Sequence, residues 1–168
     1  MSDIFIRYAA PADFDAIVAI NEAAVQHTSA MDVQRLQNLH ALSAYHKVAT
    51  VDGKVAAFLL AMRENAPYPN DNYGFFAARY ARFLYVDRIV VDPSYAGLKL
   101  GTLLYRDLFD YARAQAVPVI TCEYNIEPPN EPSRRFHERF GFSEVGTQWL
   151  DGGRKRVSLQ VAHIHTGI

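Results

Sequence analysis

The chain has 168 residues, half of them apolar and about a fifth charged, a composition typical of one globular domain with a substantial core. Lys and Arg number 17 and Asp and Glu 18, which argues against a nucleic-acid-binding protein, since such proteins usually carry a clear basic excess. Its single cysteine, Cys122, excludes an intrachain disulfide, and neither a signal peptide nor a run of about 20 apolar residues is visible.

The first part of the chain predicts one strand, two helices and a β-hairpin. Both helices place apolar residues three and four positions apart, with Asn21 as a polar exception in the first. The turn Asp52-Gly53 between two apolar segments indicates an antiparallel hairpin. The predicted bounds in chain order are 4–8 (strand), 11–25 (helix), 32–42 (helix), 47–51 (strand) and 54–61 (strand).

Residues 63–82 show no regular pattern, because prolines, asparagines and a glycine interrupt them. We therefore predict a loop, and it is unusually rich in aromatic residues: Tyr68, Tyr73, Phe75, Phe76 and Tyr80. Two interpretations remain open for these rings. They cover the edge of the core or a dimer contact, or they line a substrate pocket.

The second part of the chain predicts a strand-helix-strand unit followed by a short helix and a strand pair. Gly141 is a good stop for the short helix, because glycine accepts the left-handed conformation there. The strands of the strand-helix-strand unit are expected to be parallel. The predicted bounds are 83–91 (strand), 100–115 (helix), 118–123 (strand), a short helix after Pro128–Pro132, and strands 143–146 and 156–161.

A glycine-bearing turn links the strand ending at Val91 to the amphipathic helix that begins near Leu100. The first backbone amides of a helix lack partners inside it and favour an anion. Gly97 and Gly101 remove side chains that would keep a diphosphate away, and Lys99 adds a positive charge. The pattern predicts a phosphate-binding turn, with an ordinary strand-to-helix turn as the alternative.

Two motifs of this chain resemble the GNAT acetyltransferase superfamily, in the family's order and near its spacing. The first is the strand, proline and turn that end at Gly101. The second is Thr121-Cys122-Glu123, then Asn130, then the helix end Phe136-His137-Glu138-Arg139-Phe140-Gly141-Phe142. The proline-rich run 122–130 resembles a poorly characterised bacterial branch. The resemblance implies an α/β fold (an α+β mixed sheet) in one acyltransferase domain over 1–168, of order β-α-α-β-β-β-α-β-α-β-β.

By resemblance, the chain is an acetyl-CoA-dependent N-acetyltransferase that acts on a primary amine of a small molecule or peptide by direct attack on the thioester. Two positions depart from the family pattern: its Arg or Gln falls on Ala96 and its middle Gly on Lys99, where a left-handed backbone would strain any other residue. The implied coenzyme contacts are Ile89, Val90, Val91, Ala96, Gly97, Leu98, Lys99, Leu100, Gly101, Thr102, Asn130, Ser133 and Phe136.

Glu123 and Asp87 are the candidates for the base that deprotonates the amine, since each carboxylate lies in an otherwise apolar strand. Glu123 matches the family's acidic position, and Asp87 lies on the same strand face as Ile89. The alternatives are a salt bridge, to Arg88 or Arg134, or an exposed position.

His137 falls where the family often has a tyrosine general acid, seven residues after Asn130. Histidine donates a proton near neutral pH more readily than tyrosine does. The alternative is a partly buried residue in an enzyme that needs no acid, with Tyr124 and the aromatic segment supplying other hydroxyls. The alternative to coenzyme contact is helix capping for Asn130 and Ser133, and core packing for Phe136.

A non-catalytic acyl-CoA-binding or regulatory module is the competing function, suggested by the absence of the family's Arg at Ala96 and of its Tyr at His137. A third alternative is an acyltransferase that uses a longer acyl donor. No metal site is predicted, because His27, His40 and His46 lie far apart in sequence and Cys122 has no neighbouring ligand. We expect a cytoplasmic protein without nucleic-acid or membrane partners, and a homodimer is compatible with the resemblance.

Overall fold

The computed structural model describes residues 2–25 and 28–165 and shows a mixed α/β fold. Seven strands form one sheet in the hydrogen-bonded order β1-β2-β3-β4-β5-β7-β6. The strands are β1 (Ile4–Tyr8), β2 (Tyr45–Val51), β3 (Lys54–Arg63), β4 (Leu84–Val91), β5 (Val119–Glu127), β6 (Ser143–Leu150) and β7 (Lys155–His163). The helices are α1 (Phe14–Ala23), α2 (Val33–Leu42), α3 (Asp71–Ala77), α4 (Leu100–Ala114) and α5 (Glu131–Arg139).

The chain divides into two compact units, and β3, β4 and α4 contribute to both. The first unit comprises Met1–Met62 and Asp87–Tyr111, and the second comprises Arg63–Val86 and Ala112–Ile168. None of the helices within residues 2–25 and 28–165 is long and apolar enough to cross a membrane. The prediction of one domain over the whole chain stays a prediction.

The first unit contains the antiparallel strands β1, β2 and β3. The predicted hairpin is confirmed, with Asp52 and Gly53 at φ angles of 51° and 84° and Val51 paired with Lys54. Both predicted helices are also confirmed, and Asp32 caps α2 by accepting a hydrogen bond from the Arg35 amide at 2.7 Å. The core of this unit includes the fully buried side chains Ile17, Leu36, Leu39, Val48, Phe58, Leu60, Leu104 and Leu108.

The second unit contains the parallel pair β4–β5 and the antiparallel pairs β5–β7 and β6–β7. Leu84 pairs with Ile120 and Tyr85 with Thr121, which confirms the predicted parallel arrangement. Strand β5 continues four residues past its predicted end at Glu123, because β7 supplies a pairing partner as far as Glu127. Sequence patterning alone did not detect that partner.

The region 63–82 differs from its prediction as an irregular loop, because it contains helix α3. Asn70 caps this helix by accepting a hydrogen bond from the Tyr73 amide at 3.0 Å. The prolines before the helix and Gly74 within it obscured the helical pattern. Gly146 of β6 permits a close approach by α3, since a Cβ there would lie 2.9 Å from the Phe75 ring.

The aromatic rings of this region mostly belong to the core of the second unit. Tyr68, Tyr73 and Phe76 are buried, and each packs against the buried ring of Tyr85. These three rings therefore support the core interpretation over the substrate-pocket interpretation.

Two histidines that lie apart in the sequence meet in the first unit. The Nδ1 atoms of His40 and His46 are 2.8 Å apart, and Phe14 packs on both rings. Burial, reinforced by the neighbouring His40, lowers the pKa of His46 from 6.5 to about 4. Asp13, which is held by Arg7 at 2.8 Å, opposes this effect in part. His46 is therefore neutral at pH 7 in the folded protein.

We expect the free energy of unfolding to fall as the pH drops from 6.5 towards 4, by up to about 3 kcal/mol from His46 alone. Stability falls with falling pH because the pKa of His46 is lowered in the folded state. The unfolded chain therefore takes up the proton at a higher pH than the folded protein does. Urea unfolding across this pH range measures the effect. The variant His46→Gln is the control, because its loss of stability should be smaller by that amount. Equal losses in both proteins would contradict the prediction.

Candidate active site

Glu123 of β5 is held by the hydroxyl of Tyr85 in the second unit. The Tyr85 Oη lies 2.8 Å from Oε1 and 2.9 Å from Oε2 of Glu123. Tyr85 is fully buried, whereas Glu123 is half-buried. The strand register explains the contact, since Tyr85 pairs with Thr121 and Glu123 lies two residues further on the same face. The carboxylate is thus fixed in position and retains some exposure.

Asp87, the other candidate base, forms a buried ion pair in the first unit. Its Oδ2 lies 2.7 Å from Nε of Arg88, and the two side chains are only 4% and 3% exposed. Arg88 also donates to Oδ1 of Asn21 and to the carbonyl and hydroxyl oxygens of Ser29. This network gives Asn21, the polar exception in α1, a buried polar partner. It also agrees with the alternative that Asp87 forms a salt bridge with Arg88.

His137 is buried on α5, and its Nδ1 lies 2.7 Å from the backbone carbonyl oxygen of Ser133. Burial lowers the pKa of His137, so the ring is neutral near pH 7. A carbonyl only accepts, so Nδ1 carries the proton of the neutral ring and Nε2 carries none. This tautomer leaves Nε2 as an acceptor, and the geometry does not favour a general acid. That role stays a prediction.

Tyr124 supplies a hydroxyl close to His137, with ring centroids 5.6 Å apart. Its oxygen accepts a hydrogen bond from Gln160, which also donates to Ser158. Burial raises the pKa of Tyr124, so the phenol keeps its proton at neutral pH. A cavity of about 330 Å³ is lined by Tyr124, Asn125, Ile126, Pro129, Asn130, Glu131, Arg134 and Glu144.

The predicted coenzyme contacts on α5 have visible structural roles. Asn130 caps the helix by accepting a hydrogen bond from the Ser133 amide at 3.3 Å. The ring of Phe136 packs against Phe140 with centroids 5.2 Å apart. These are the capping and packing alternatives, and they are compatible with a second contact to a coenzyme.

The predicted phosphate-binding turn lies wholly within the first unit. A short 3-10 turn, Pro93–Tyr95, is capped by Asp92 and precedes Gly97 at a φ of 91°. Lys99 then adopts a φ of 58°, and α4 begins at Leu100. The Lys99 carbonyl accepts the amide of Leu103. The helix therefore leaves the amides of Leu100, Gly101 and Thr102 without partners of its own.

Ala96, Gly97, Leu98 and Lys99 are all exposed, so the turn is open to a ligand. Strand residues Ile89 and Val91 are half-buried and Val90 is buried. Among residues 2–25 and 28–165, no group of three or more His, Cys, Asp or Glu side chains could hold a metal ion. His27 lies outside these residues.

Comparison with known protein families identifies the chain. The pattern of the Acetyltransferase (GNAT) family matches residues 14–142, which is most of the sequence. The chain belongs to the GNAT acetyltransferase family. GNAT acetyltransferases use acetyl-CoA as the acetyl donor, which agrees with the predicted cofactor. The fold prediction is confirmed as well.

A curated relative of this GNAT chain is the phosphinothricin N-acetyltransferase of Streptomyces coelicolor. The two are 42% identical over 67 residues, which are 40% of this chain and 37% of the relative. The match thus spans little more than a third of that relative's length. It supports the family assignment and leaves the activity and substrate to be proposed.

Solved GNAT structures share the fold at low sequence identity. Ard1 from Thermoplasma volcanium superposes with a TM-score of 0.78 at 16% identity, covering 96% of this chain and 98% of Ard1. YncA from Salmonella typhimurium, solved with its cofactor acetyl-CoA, gives a TM-score of 0.72 at 21% identity, covering 99% and 97%. At these identities the likeness shows the fold alone.

The turn of this GNAT chain contains two residues with positive φ, Gly97 and Lys99. Lys99 has a φ of 58°, so the backbone strain expected of a left-handed residue other than glycine is present there. The ammonium of Lys99 supplies a positive charge that glycine lacks.

Replacing Lys99 with glycine is expected to raise the free energy of unfolding by about 1 kcal/mol, because glycine adopts this φ without a clash between Cβ and the backbone. Urea unfolding measures the change. Lys99→Ala is the matched control, since it removes the same charge and keeps the strain. An equal gain in both variants would show that the charge, and not the backbone, causes the effect.

Proposed function

We propose that this chain is an acetyl-CoA-dependent N-acetyltransferase that moves an acetyl group to a primary amine of a small molecule or peptide. The observation that carries the proposal is the Glu123 carboxylate, held at both oxygens by Tyr85. Glu123 lies on β5, and by resemblance it matches the family's acidic position. The partial relative is itself named an N-acetyltransferase, which supports transfer to nitrogen.

Glu123 is assigned to the removal of a proton from the acceptor amine. Free alkylamines are mostly protonated at neutral pH, and only the neutral amine has a lone pair for attack. A carboxylate fixed by a buried hydroxyl and still partly exposed can reach such an amine directly or through a water molecule. Asp87 is less suited to this task, because Arg88 already pairs with its carboxylate in a buried position.

When bound, acetyl-CoA supplies an acetyl thioester whose carbonyl carbon is open to attack by an amine. The turn 96–102 would hold its pyrophosphate with the first amides of α4 and the charge of Lys99. Backbone amides of Ile89–Val91 would donate to the thioester carbonyl oxygen. Asn130, Ser133 and Phe136 would contact the coenzyme from α5, in addition to their capping and packing roles.

Isothermal titration of the pure protein with acetyl-CoA tests the first part of this proposal. Saturable binding is expected, and no binding at millimolar acetyl-CoA would overturn the proposal. Release of the coenzyme thiol in the presence of a panel of small amines and N-terminal peptides tests the second part. Binding without any thiol release across the panel would favour the non-catalytic acyl-CoA-binding module instead.

A further inference from the structure

The hydroxyl of Tyr85 makes an unusual contact, because one O–H group lies within hydrogen-bonding distance of both oxygens of Glu123. The distances of 2.8 and 2.9 Å are nearly equal, so the hydroxyl lies almost symmetrically before the carboxylate. Tyr85 has no exposed surface, and a buried phenol requires a polar partner. The ionised carboxylate meets that requirement with a charge-assisted hydrogen bond.

Three aromatic rings from the region 63–82 immobilise the Tyr85 ring. Tyr73 packs edge-on with centroids 5.6 Å apart, and Phe76 and Tyr68 lie at 6.0 and 6.5 Å. All three are buried. The hydroxyl of Tyr73 is used elsewhere, donating to the Arg63 carbonyl oxygen at 2.6 Å. The rings therefore fix the direction of the Tyr85 hydroxyl.

We propose that Tyr85 is a positioning residue for the base Glu123, and that the aromatic rings of α3 and the residues preceding it hold Tyr85 in place. The inference rests on the proposed function, since it needs Glu123 to accept the amine proton. The hydroxyl has two effects. It restricts the carboxylate to one orientation, and it stabilises the ionised form, so that Glu123 is ready to accept a proton at lower pH.

The variant Tyr85→Phe keeps the ring and removes only the hydroxyl. We expect the acidic limb of the kcat/KM profile to move to higher pH by about one pH unit, since one hydrogen bond to a carboxylate is lost. We also expect kcat at neutral pH to fall roughly 10-fold, with KM for acetyl-CoA unchanged. An unshifted acidic limb in an active, folded Tyr85→Phe protein would overturn the inference.

Tyr45→Phe is the matched control. Tyr45 is likewise buried and donates to a carboxylate, that of Asp107, at 2.7 Å in the first unit. Both variants lose a hydrogen bond from a buried tyrosine to a partly exposed carboxylate, so a similar loss of stability is expected from each. Only the loss at Tyr85 should move the pH profile, and an equal movement in both would overturn a positioning role.

A second measurement does not depend on knowing the acceptor. Carbon-13 NMR titration of glutamate-labelled protein follows the Glu123 carboxylate, with its signal assigned from the variant Glu123→Gln. Its titration midpoint should move to higher pH in Tyr85→Phe and stay fixed in Tyr45→Phe. An unmoved midpoint overturns the inference even if the protein transfers acetyl groups. A moved midpoint with no thiol release from any amine leaves Tyr85 paired to Glu123 and overturns the proposed function alone.

Discussion

Replacing Glu123 with Gln is expected to lower kcat/KM for acetyl transfer by roughly 100- to 10,000-fold, the usual contribution of a positioned general base. Glutamine has nearly the same size and can still accept a hydrogen bond from Tyr85, so the fold should be retained. It cannot take up a proton from the amine. Steady-state kinetics with the best amine of the panel measures the loss, and calorimetry should show unchanged affinity for acetyl-CoA.

Glu138→Gln is the matched control for this experiment. Glu138 is exposed on α5 and pairs with Arg134 at 3.0 Å, an interaction worth little at the surface. Activity close to that of the wild type is expected. If Glu123→Gln retained activity within a few-fold of Glu138→Gln, then Glu123 would not be the base. The loss should also be smaller at high pH, where more of the amine is already neutral.

Replacing Arg88 with Met is expected to cost about 3–5 kcal/mol of stability, the usual result of breaking a buried ion pair from one side. The substitution removes the guanidinium that neutralises Asp87, whose side chain is only 4% exposed. It also removes the donor to Asn21 and Ser29. Urea unfolding monitored by circular dichroism measures the cost, which should exceed that of any exposed substitution in the chain.

The double variant Asp87→Asn with Arg88→Met separates this effect from the loss of packing. Without the carboxylate, removal of the guanidinium leaves no buried negative charge, so the double variant should lose less stability than the two single variants added together. Additive losses would contradict a direct coupling between the two side chains. The single variant Asp87→Asn also tests catalysis, since folded protein of normal kcat would limit Asp87 to a structural role.

Much of the fold was predictable because it depends on local rules. The hairpin at Asp52-Gly53 needs two residues with positive φ, and both residue types tolerate it. The stop at Gly141 has the same basis, with a φ of 83°. Helix α3 was missed, because its short span contains Gly74 and follows two prolines, so that capping by Asn70 was the remaining local signal.

The candidate site was predictable at some positions and not at others. Glu123 was identified because a carboxylate in an apolar strand requires a polar partner or a function. In the structure, the buried hydroxyl of Tyr85 donates a hydrogen bond to it. Tyr85 was missed, since tyrosine is common in strands and only the register of β4 with β5 brings it to Glu123. The contact between His40 and His46, which lie six residues apart in the sequence, was also missed. Only the fold of the chain between them brings their rings together.

The sequence alone determined the family, the order of most elements and the strained turn. Gly97, Lys99 and Gly101 stand next to the start of a helix, and backbone preferences act between neighbours in the chain. Only the tertiary structure decided which carboxylate is paired with which partner. Asp87 and Glu123 look alike in sequence, but Arg88 neutralises one and Tyr85 holds the other. That difference depends on burial and on contacts across strands, which residue order does not specify.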